Sequence, residues 1–191
     1  MFLLHRPSAQ DVERFIAGSR ELSLSYEPVG LARAGRAGFA LDEQIAIVGS
    51  GEAAFARATT ALIEWRHFEL GWVELFPKRP PIAPGAVVVV SVRHLGFWSL
   101  NGCRVVYSIG ARGDSTFGFA YGTLTNHAES GEEIFQVSFR PETGEVSYRI
   151  RAVSRPRAAL ARLGYPLTRS LQARFRRDSA RALRSAILEP L

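Results

Sequence analysis

The sequence predicts an α+β fold in which a curved antiparallel β-sheet packs against one long C-terminal α-helix. Two patterns carry this prediction. Segments of period two, joined by turn sequences, fill residues 87–153, and an apolar stripe of period 3.6 runs from Leu167 to Ile187. The length of 191 residues and the hydrophobic content of 47% are typical of one domain. We therefore assign residues 1–191 to a single domain, with residues 1–38 as an N-terminal helical and loop extension.

The N-terminal part predicts a helix, a loop, a strand and a second helix. Ser8 can cap a helix that extends to Arg20, because its hydroxyl accepts hydrogen bonds from free backbone amides. Several glycines make Gly30–Gly38 a loop. Phe39–Val48 has the composition of a strand, and Glu52–Trp65 repeats apolar residues at helical spacing.

Strand patterns then follow almost without interruption. Val87–His94 is nearly continuous in β-branched residues, as a central strand should be. The sequence from Pro141 to Gly144 is a hairpin signal between two such segments. We expect a meandering antiparallel sheet, because the connectors are too short for parallel crossovers. The strand segments are Trp72–Pro77, Val87–His94, Cys103–Ile109, Thr116–Leu124, Ile134–Phe139 and Val146–Val153.

The last segment is an amphipathic helix. Leu167, Leu171 and Phe175 share one face, which we expect to pack on the sheet. The opposite face is expected to meet solvent, and it carries Arg169, Arg174, Arg176, Arg177, Arg181 and Arg184.

The charge is unevenly distributed. The chain has 24 basic and 18 acidic residues, yet from Arg149 to Arg184 eleven arginines accompany one acid, Asp178. Such a basic segment either is a solvated helix face or contacts RNA, DNA or acidic lipid heads. The candidate anion-binding residues are Arg174, Arg177 and Arg181.

Several functional classes lack their signatures. Cys103 is the single cysteine, so an internal disulfide is excluded and a cysteine-based zinc site is not expected. Phosphate-loop, dinucleotide and nucleophile-elbow motifs do not occur. We therefore expect no metal and no cofactor. Because no apolar run approaches 18 residues and the N-terminal apolar stretch breaks at Pro7, we also expect a cytoplasmic protein.

Short motifs distributed along the chain resemble a known family. They are Asn101–Tyr107, Phe117–Leu124, His127–Glu133, Ser154–Pro156 and Gly164–Leu167, with Gln172, Phe175 and Asp178-Ser179. As a set they resemble the family called domain of unknown function nineteen-ninety, which supplies no catalytic residues. The order of elements also resembles the helix-grip arrangement of START-type lipid-binding domains and the major birch pollen allergen. That resemblance implies a cavity between the sheet and the last helix.

The densest polar cluster surrounds His127. An imidazole near carboxylates can perform acid–base chemistry or bind a metal, although polar residues at a hairpin tip are also ordinary turn structure. Strand parity turns Glu133 towards the core, where it needs a partner, and Arg104 or Arg149 could supply one. We expect His127 at an exposed tip and Glu133 paired with an arginine.

These observations favour a protein that binds a small hydrophobic molecule or lipid between the sheet and the last helix. One alternative is contact with RNA, another anion or an acidic membrane surface through the arginine face. A second alternative is an enzyme that uses His127 and Glu133 on a ligand in the same cavity. The oligomeric state stays open. The candidate ligand-binding residues are Trp72, Arg104, Phe119, Tyr121, His127, Glu133, Phe135, Leu171 and Phe175.

Overall fold

A computed structural model describes residues 1–94, 96–111, 113–157 and 165–188, with the backbone alone for Tyr165. The helices in these ranges are α1 (Ala9–Ser19), α2 (Leu31–Ala34), α3 (Glu52–Ile63) and α4 (Tyr165–Leu188), with a 3-10 turn at Arg66–Phe68. The strands are β1 (Phe2–Leu3), β2 (Ala40–Ser50), β3 (Val73–Phe76), β4 (Val87–His94), β5 (Phe97–Ile109), β6 (Thr116–Thr123), β7 (Glu129–Arg140) and β8 (Glu145–Pro156).

The strands form one antiparallel sheet. Its order is β2-β8-β7-β6-β5-β4-β3, and β1 pairs with the start of β5. The predicted meander is confirmed, since β4 to β8 follow one another as neighbours. Two strands begin earlier than predicted, however: β5 starts at Phe97 rather than Cys103, and β7 starts at Glu129 rather than Ile134.

The inner face of the sheet carries the main core. Tyr148, Phe119 and Phe135 are its largest side chains from the sheet and are almost completely buried. Leu62 from α3 and Leu183 from α4 pack against the same cluster. Burial of this apolar layer is the main force that holds the helices on the sheet.

The N-terminal segment covers the outer face. Val12 of α1 packs on Val89 and Leu100, and Ala32 of α2 packs on Ala120 and Ile134. These contacts shield from water the apolar side chains that the strands turn away from the inner core. Helices therefore cover part of each face of the sheet, α3 and α4 on the inner face and α1 and α2 on the outer face.

A buried carboxylate fastens this segment to the sheet. Glu132 is 2% exposed and accepts four hydrogen bonds. The hydroxyls of Tyr26 and Tyr107 each donate at 2.6 Å, and the backbone amides of Gly30 and Ala32 donate at 2.9 and 3.1 Å. Because each carboxylate oxygen accepts two of these hydrogen bonds, Glu132 can remain buried without an arginine.

The orientation of α4 differs from the prediction at its N-terminal half. Leu183 and Ile187 are buried, but Leu167 is 38% exposed and Leu171 is only partly buried. Two arginines expected in solvent turn inward instead. Arg169 and Arg176 both bind the nearly buried Asp42 of β2, Arg176 at 3.0 Å. The predicted wheel is thus wrong for Leu167 and for these two arginines, because a long-range ion pair and not the apolar stripe fixes that side of the helix.

Candidate ligand cavity

A cavity of about 780 Å³ lies between the inner face of the sheet and the first half of α4. Most of its wall is apolar, and Phe68, Trp72, Val90, Leu171 and Phe175 contribute to it. Polar side chains gather where β7 and β8 begin and end, next to α4. The strand extensions that the sequence did not predict supply part of this polar wall, including Ser99 and Asn101 of β5 and Glu129 of β7.

The structure brings six of the nine candidate ligand-binding residues to this cavity. They are Trp72, Tyr121, His127, Glu133, Leu171 and Phe175. The other three lie elsewhere. Phe119 and Phe135 are fully buried in the core behind the wall, where the Phe135 ring centroid is 5.6 Å from that of Phe68. Arg104 points away and donates to the Arg20 carbonyl at 2.7 Å.

Glu133 faces the cavity, as strand parity predicts, but its partner differs from the prediction. Neither Arg104 nor Arg149 reaches it, since Arg149 pairs with Glu43. The Tyr121 hydroxyl instead donates to Glu133 Oε2 at 2.8 Å. Burial raises the pKa of Glu133 to about 7, against the opposing effects of this hydrogen bond and of Arg176. The carboxyl is therefore partly protonated near neutral pH.

His127 does not lie at an exposed hairpin tip, so that prediction is wrong. The turn between β6 and β7 directs the ring to the cavity wall, and Nδ1 accepts a hydrogen bond from the Glu129 amide at 2.9 Å. Burial and, to a smaller extent, the N-terminal ammonium lower the pKa of His127 to about 3, against the opposing effect of the hydrogen bond from Glu129. The ring is neutral at physiological pH, and because Nδ1 is an acceptor its proton resides on Nε2.

Glu129 is a cavity residue that lies outside the predicted strand segments, before Ile134–Phe139. Its Oε2 accepts hydrogen bonds from Ser154 Oγ and from Gln172 Nε2 of α4, both at 2.7 Å. Burial raises the pKa of this carboxyl. Glu133 lies four residues further along the same strand, so the two side chains point to the same face of the sheet. This shared face is the sequence signal that could have identified Glu129.

The three candidate anion-binding arginines lie on the outer side of α4. Arg174 stacks on Trp72 at 4.5 Å and contacts Asp178 at 3.3 Å, while Arg181 lies 3.6 Å from the same carboxylate. Arg177 is exposed. Asp178 thus neutralises part of this basic face, which weakens its attraction for polyanions.

The described ranges contain no cluster of three His, Cys, Asp or Glu side chains that could hold a metal ion. No helix within them combines the length and the apolar character needed to cross a membrane.

A sheet that packs on a long C-terminal helix with a cavity between them defines the helix-grip class. The solved structure of the Zhui aromatase/cyclase from a Streptomyces species supports this assignment with a TM-score of 0.50. At 12% identity the match covers 78% of this chain and 93% of that one. The helix-grip fold predicted from the order of elements is confirmed.

The chain belongs to the family described as "Domain of unknown function (DUF1990)", which matches residues 25–182. Two relatives are similar over nearly their whole length, and both are named UPF0548 protein. The one from Dictyostelium discoideum is 33% identical over 207 residues, covering 98% of this chain and 96% of the relative. The one from Deinococcus radiodurans is 36% identical over 197 residues, covering 96% and 97%. The predicted family resemblance is confirmed.

Proposed function

We propose that this protein binds a small, largely apolar molecule in the cavity between the sheet and α4. The observation that carries the proposal is the cavity itself, whose volume of about 780 Å³ lies within the range of ligand pockets, about 300 to 1,000 Å³. Its apolar wall and few converging polar groups are the usual composition of such pockets. That one protein with this fold is named an aromatase/cyclase is compatible with a small-molecule site.

The first half of α4 exposes apolar side chains that a ligand would contact, and it contributes less to the stability of the fold than the second half does. Leu171 and Phe175 line the cavity and are only partly buried, whereas Leu183 further along the helix is fully buried. An apolar ligand would cover the surface that these two side chains expose. Each square ångström of apolar surface removed from water contributes about 25 cal/mol, so filling the cavity is favourable.

A neutral fluorescent probe tests this proposal. N-phenyl-1-naphthylamine gains fluorescence in apolar sites, and its titration should saturate with the wild-type protein. Leu171→Trp should weaken the probe's binding by about tenfold or more, because the larger side chain occupies the cavity. Ser185→Trp is the matched control, since it places the same side chain at an exposed position of the same helix. Equal affinities in both variants, or no saturable binding by the wild type, would contradict the proposal.

Catalysis on the bound molecule is a second candidate function. It is favoured by Glu133, whose pKa of about 7 suits proton transfer near neutral pH and which lies on the cavity wall. His127 is less suited to act as a base, because a pKa of about 3 makes it a weak proton acceptor, but its Nε2–H can donate a hydrogen bond. A carboxyl carbon NMR titration in which Glu133→Gln removes a resonance with a midpoint near pH 7 supports this role. A titration midpoint below about pH 5 would mean that Glu133 is fully ionised at neutral pH, and this would contradict its role in proton transfer.

A further inference from the structure

Acidic side chains outnumber basic side chains at the polar end of the cavity. Glu129 and Glu133 line the wall, and so does Arg176. Arg176 and Arg169, however, both pair with Asp42. His127 is neutral, so it adds no positive charge. Fully ionised, three carboxylates would therefore face two guanidinium groups. The N-terminal ammonium, which donates to the Leu100 carbonyl at 2.9 Å, is a further positive charge near His127, so the excess of acid holds for the side chains alone.

Each cavity carboxyl also keeps one oxygen without a donor. Glu129 Oε2 accepts from Ser154 and Gln172, and Glu133 Oε2 accepts from Tyr121. No described residue donates a hydrogen bond to Oε1 of either glutamate, although Glu129 is only 8% exposed. Neither Oε1 is a buried atom without a partner, so both are open to the cavity, where a charged donor from outside the chain would form a stronger hydrogen bond than a neutral donor.

We propose that the occupant of the cavity is an amphipathic amine, whose apolar body contacts Leu171 and Phe175 and whose protonated nitrogen binds Oε1 of Glu129 and Glu133. This inference rests on the proposed function and names the ligand's chemical class. An ammonium group would bring a positive charge directly to the two cavity carboxyls, together with up to three N–H donors. A carboxylate ligand would add a fourth negative charge, and an alcohol would bring no charge.

The charged surroundings of Glu133 make this preference dependent on pH. Burial is the largest cause that raises its pKa to about 7, and repulsion from Glu129 and Asp42 contributes to this value against the effects of Tyr121 and Arg176. A bound cation favours the ionised carboxyl, so amine affinity should increase as the pH rises through 7 and a proton leaves Glu133. The titratable and charged groups that face Glu133 are Asp42, Cys103, Tyr121, Glu129, Tyr148 and Arg176. Burial holds the pKa values of Cys103, Tyr121 and Tyr148 well above their ordinary values, so these groups stay neutral.

Three compounds that share one ring system but differ in the polar group test the inference. Isothermal titration calorimetry would compare 2-(1-naphthyl)ethylamine, 2-(1-naphthyl)ethanol and 1-naphthylacetate at about pH 6, 7 and 8, a range that spans the carboxyl's titration. At the highest pH the amine should bind about tenfold or more tightly than the alcohol, because charge-assisted hydrogen bonds are the stronger kind. The ratio of the two affinities should grow with pH, and the naphthylacetate should bind most weakly.

Variants locate the effect. Glu133→Gln should reduce the amine-to-alcohol ratio and flatten its dependence on pH, and Glu129→Gln should also reduce the ratio. Glu142→Gln makes the same chemical change at an exposed site and should keep the wild-type ratio. The pH series on the wild-type protein remains decisive if a cavity variant fails to fold.

The outcomes separate this inference from the proposed function. Equal or tighter binding of the alcohol or the naphthylacetate, with loss of binding in Leu171→Trp, would overturn the amine while the ligand cavity stands. An amine preference that both cavity variants retain would also overturn it. If none of the three compounds nor the neutral probe binds, the proposed function itself fails.

Discussion

Replacement of His67 by leucine should make the stability of this protein less sensitive to acid. His67 lies in the 3-10 turn after α3, is 0% exposed and is surrounded by aromatic rings. Its ring centroid is 4.9 Å from that of Phe135 and 5.6 Å from that of Trp65. Neither ring nitrogen has a hydrogen-bond partner among the described residues. Burial lowers the pKa of this imidazole to about 3.

The sign of the effect follows from the two pKa values. The unfolded chain binds a proton on His67 near pH 6.5, whereas the folded protein resists protonation down to about pH 3. The contribution of neutral His67 to stability is therefore complete above pH 6.5 and is lost as the pH falls from 6.5 towards 3. Each pH unit in this window lowers the free energy of unfolding by about 1.4 kcal/mol, or about 2 to 3 kcal/mol between pH 7 and 4.5.

Other groups contribute to the same curve, so a difference between proteins is required. His127 acts in the same direction as His67, because its pKa is also about 3. Glu133 acts oppositely, since its raised pKa makes stability decrease as the pH rises from 4.5 to about 7. Subtraction of the wild-type curve from that of His67→Leu cancels both contributions, provided that the sites are independent.

Urea denaturation measures the difference. Wild type, His67→Leu and the exposed control His5→Leu would be compared at about pH 7.5, 6.5, 5.5 and 4.5. The stability of His67→Leu relative to wild type should increase by about 2 to 3 kcal/mol from the highest to the lowest pH, while His5→Leu should show almost no trend. A difference for His67→Leu that stays constant across this range would refute the assignment of a buried neutral histidine.

Three further predictions concern the helix, the outer face and the basic surface. Leu183→Ala should lower the free energy of unfolding by about 2 to 5 kcal/mol. Leu167→Ala changes a site that is 38% exposed and should lower it by under about 1 kcal/mol. Urea denaturation of the two variants measures both values. Glu132→Gln should destabilise by about 2 to 4 kcal/mol and speed amide exchange around α2, because an amide nitrogen would face donors. No salt-sensitive gel shift with RNA is expected. A steep salt dependence abolished by a triple charge reversal would contradict that view, and the residues reversed are Arg174, Arg177 and Arg181.

The apolar patterns made much of the fold predictable. The hairpin strands of the central sheet alternate in a way that few other structures permit, and the period of 3.6 predicted the extent of α4. Within its first half, however, Leu167, Arg169 and Arg176 do not lie on the predicted faces. The first parts of β5 and β7 were not predicted as strand, because they turn polar side chains such as Asn101 and Glu129 inward. The alternation of apolar and polar residues breaks where the strand faces a cavity instead of a packed core. The missed strand ends are therefore part of the candidate site.

For the candidate site, the sequence predicted the direction of a side chain only where the residue's position in one strand decides it. Parity alone placed Glu133 inward, but it could not distinguish a cavity wall from a packed layer, which is why Phe135 on the same face lies in the core. The pairing of Asp42 with Arg169 and Arg176 joins residues more than 120 positions apart. Such contacts depend on how β2 and α4 meet in three dimensions, and no local pattern encodes them.

The two halves of α4 differ in their role: the second half stabilises the fold, and the first half forms part of the wall of the candidate cavity. The second half buries Leu183 and Ile187 in the main core, and Ser179 is hydrogen-bonded to Tyr148 at 3.0 Å. The first half is held by polar contacts, from Gln172 to Glu129 and from its arginines to Asp42. Polar contacts of this kind fix the orientation of the first half without filling the space beneath it, so the cavity between this half and the sheet stays open. Substitutions that line the cavity should therefore change binding far more than stability, which is the separation that the Leu171→Trp and Leu183→Ala experiments measure together.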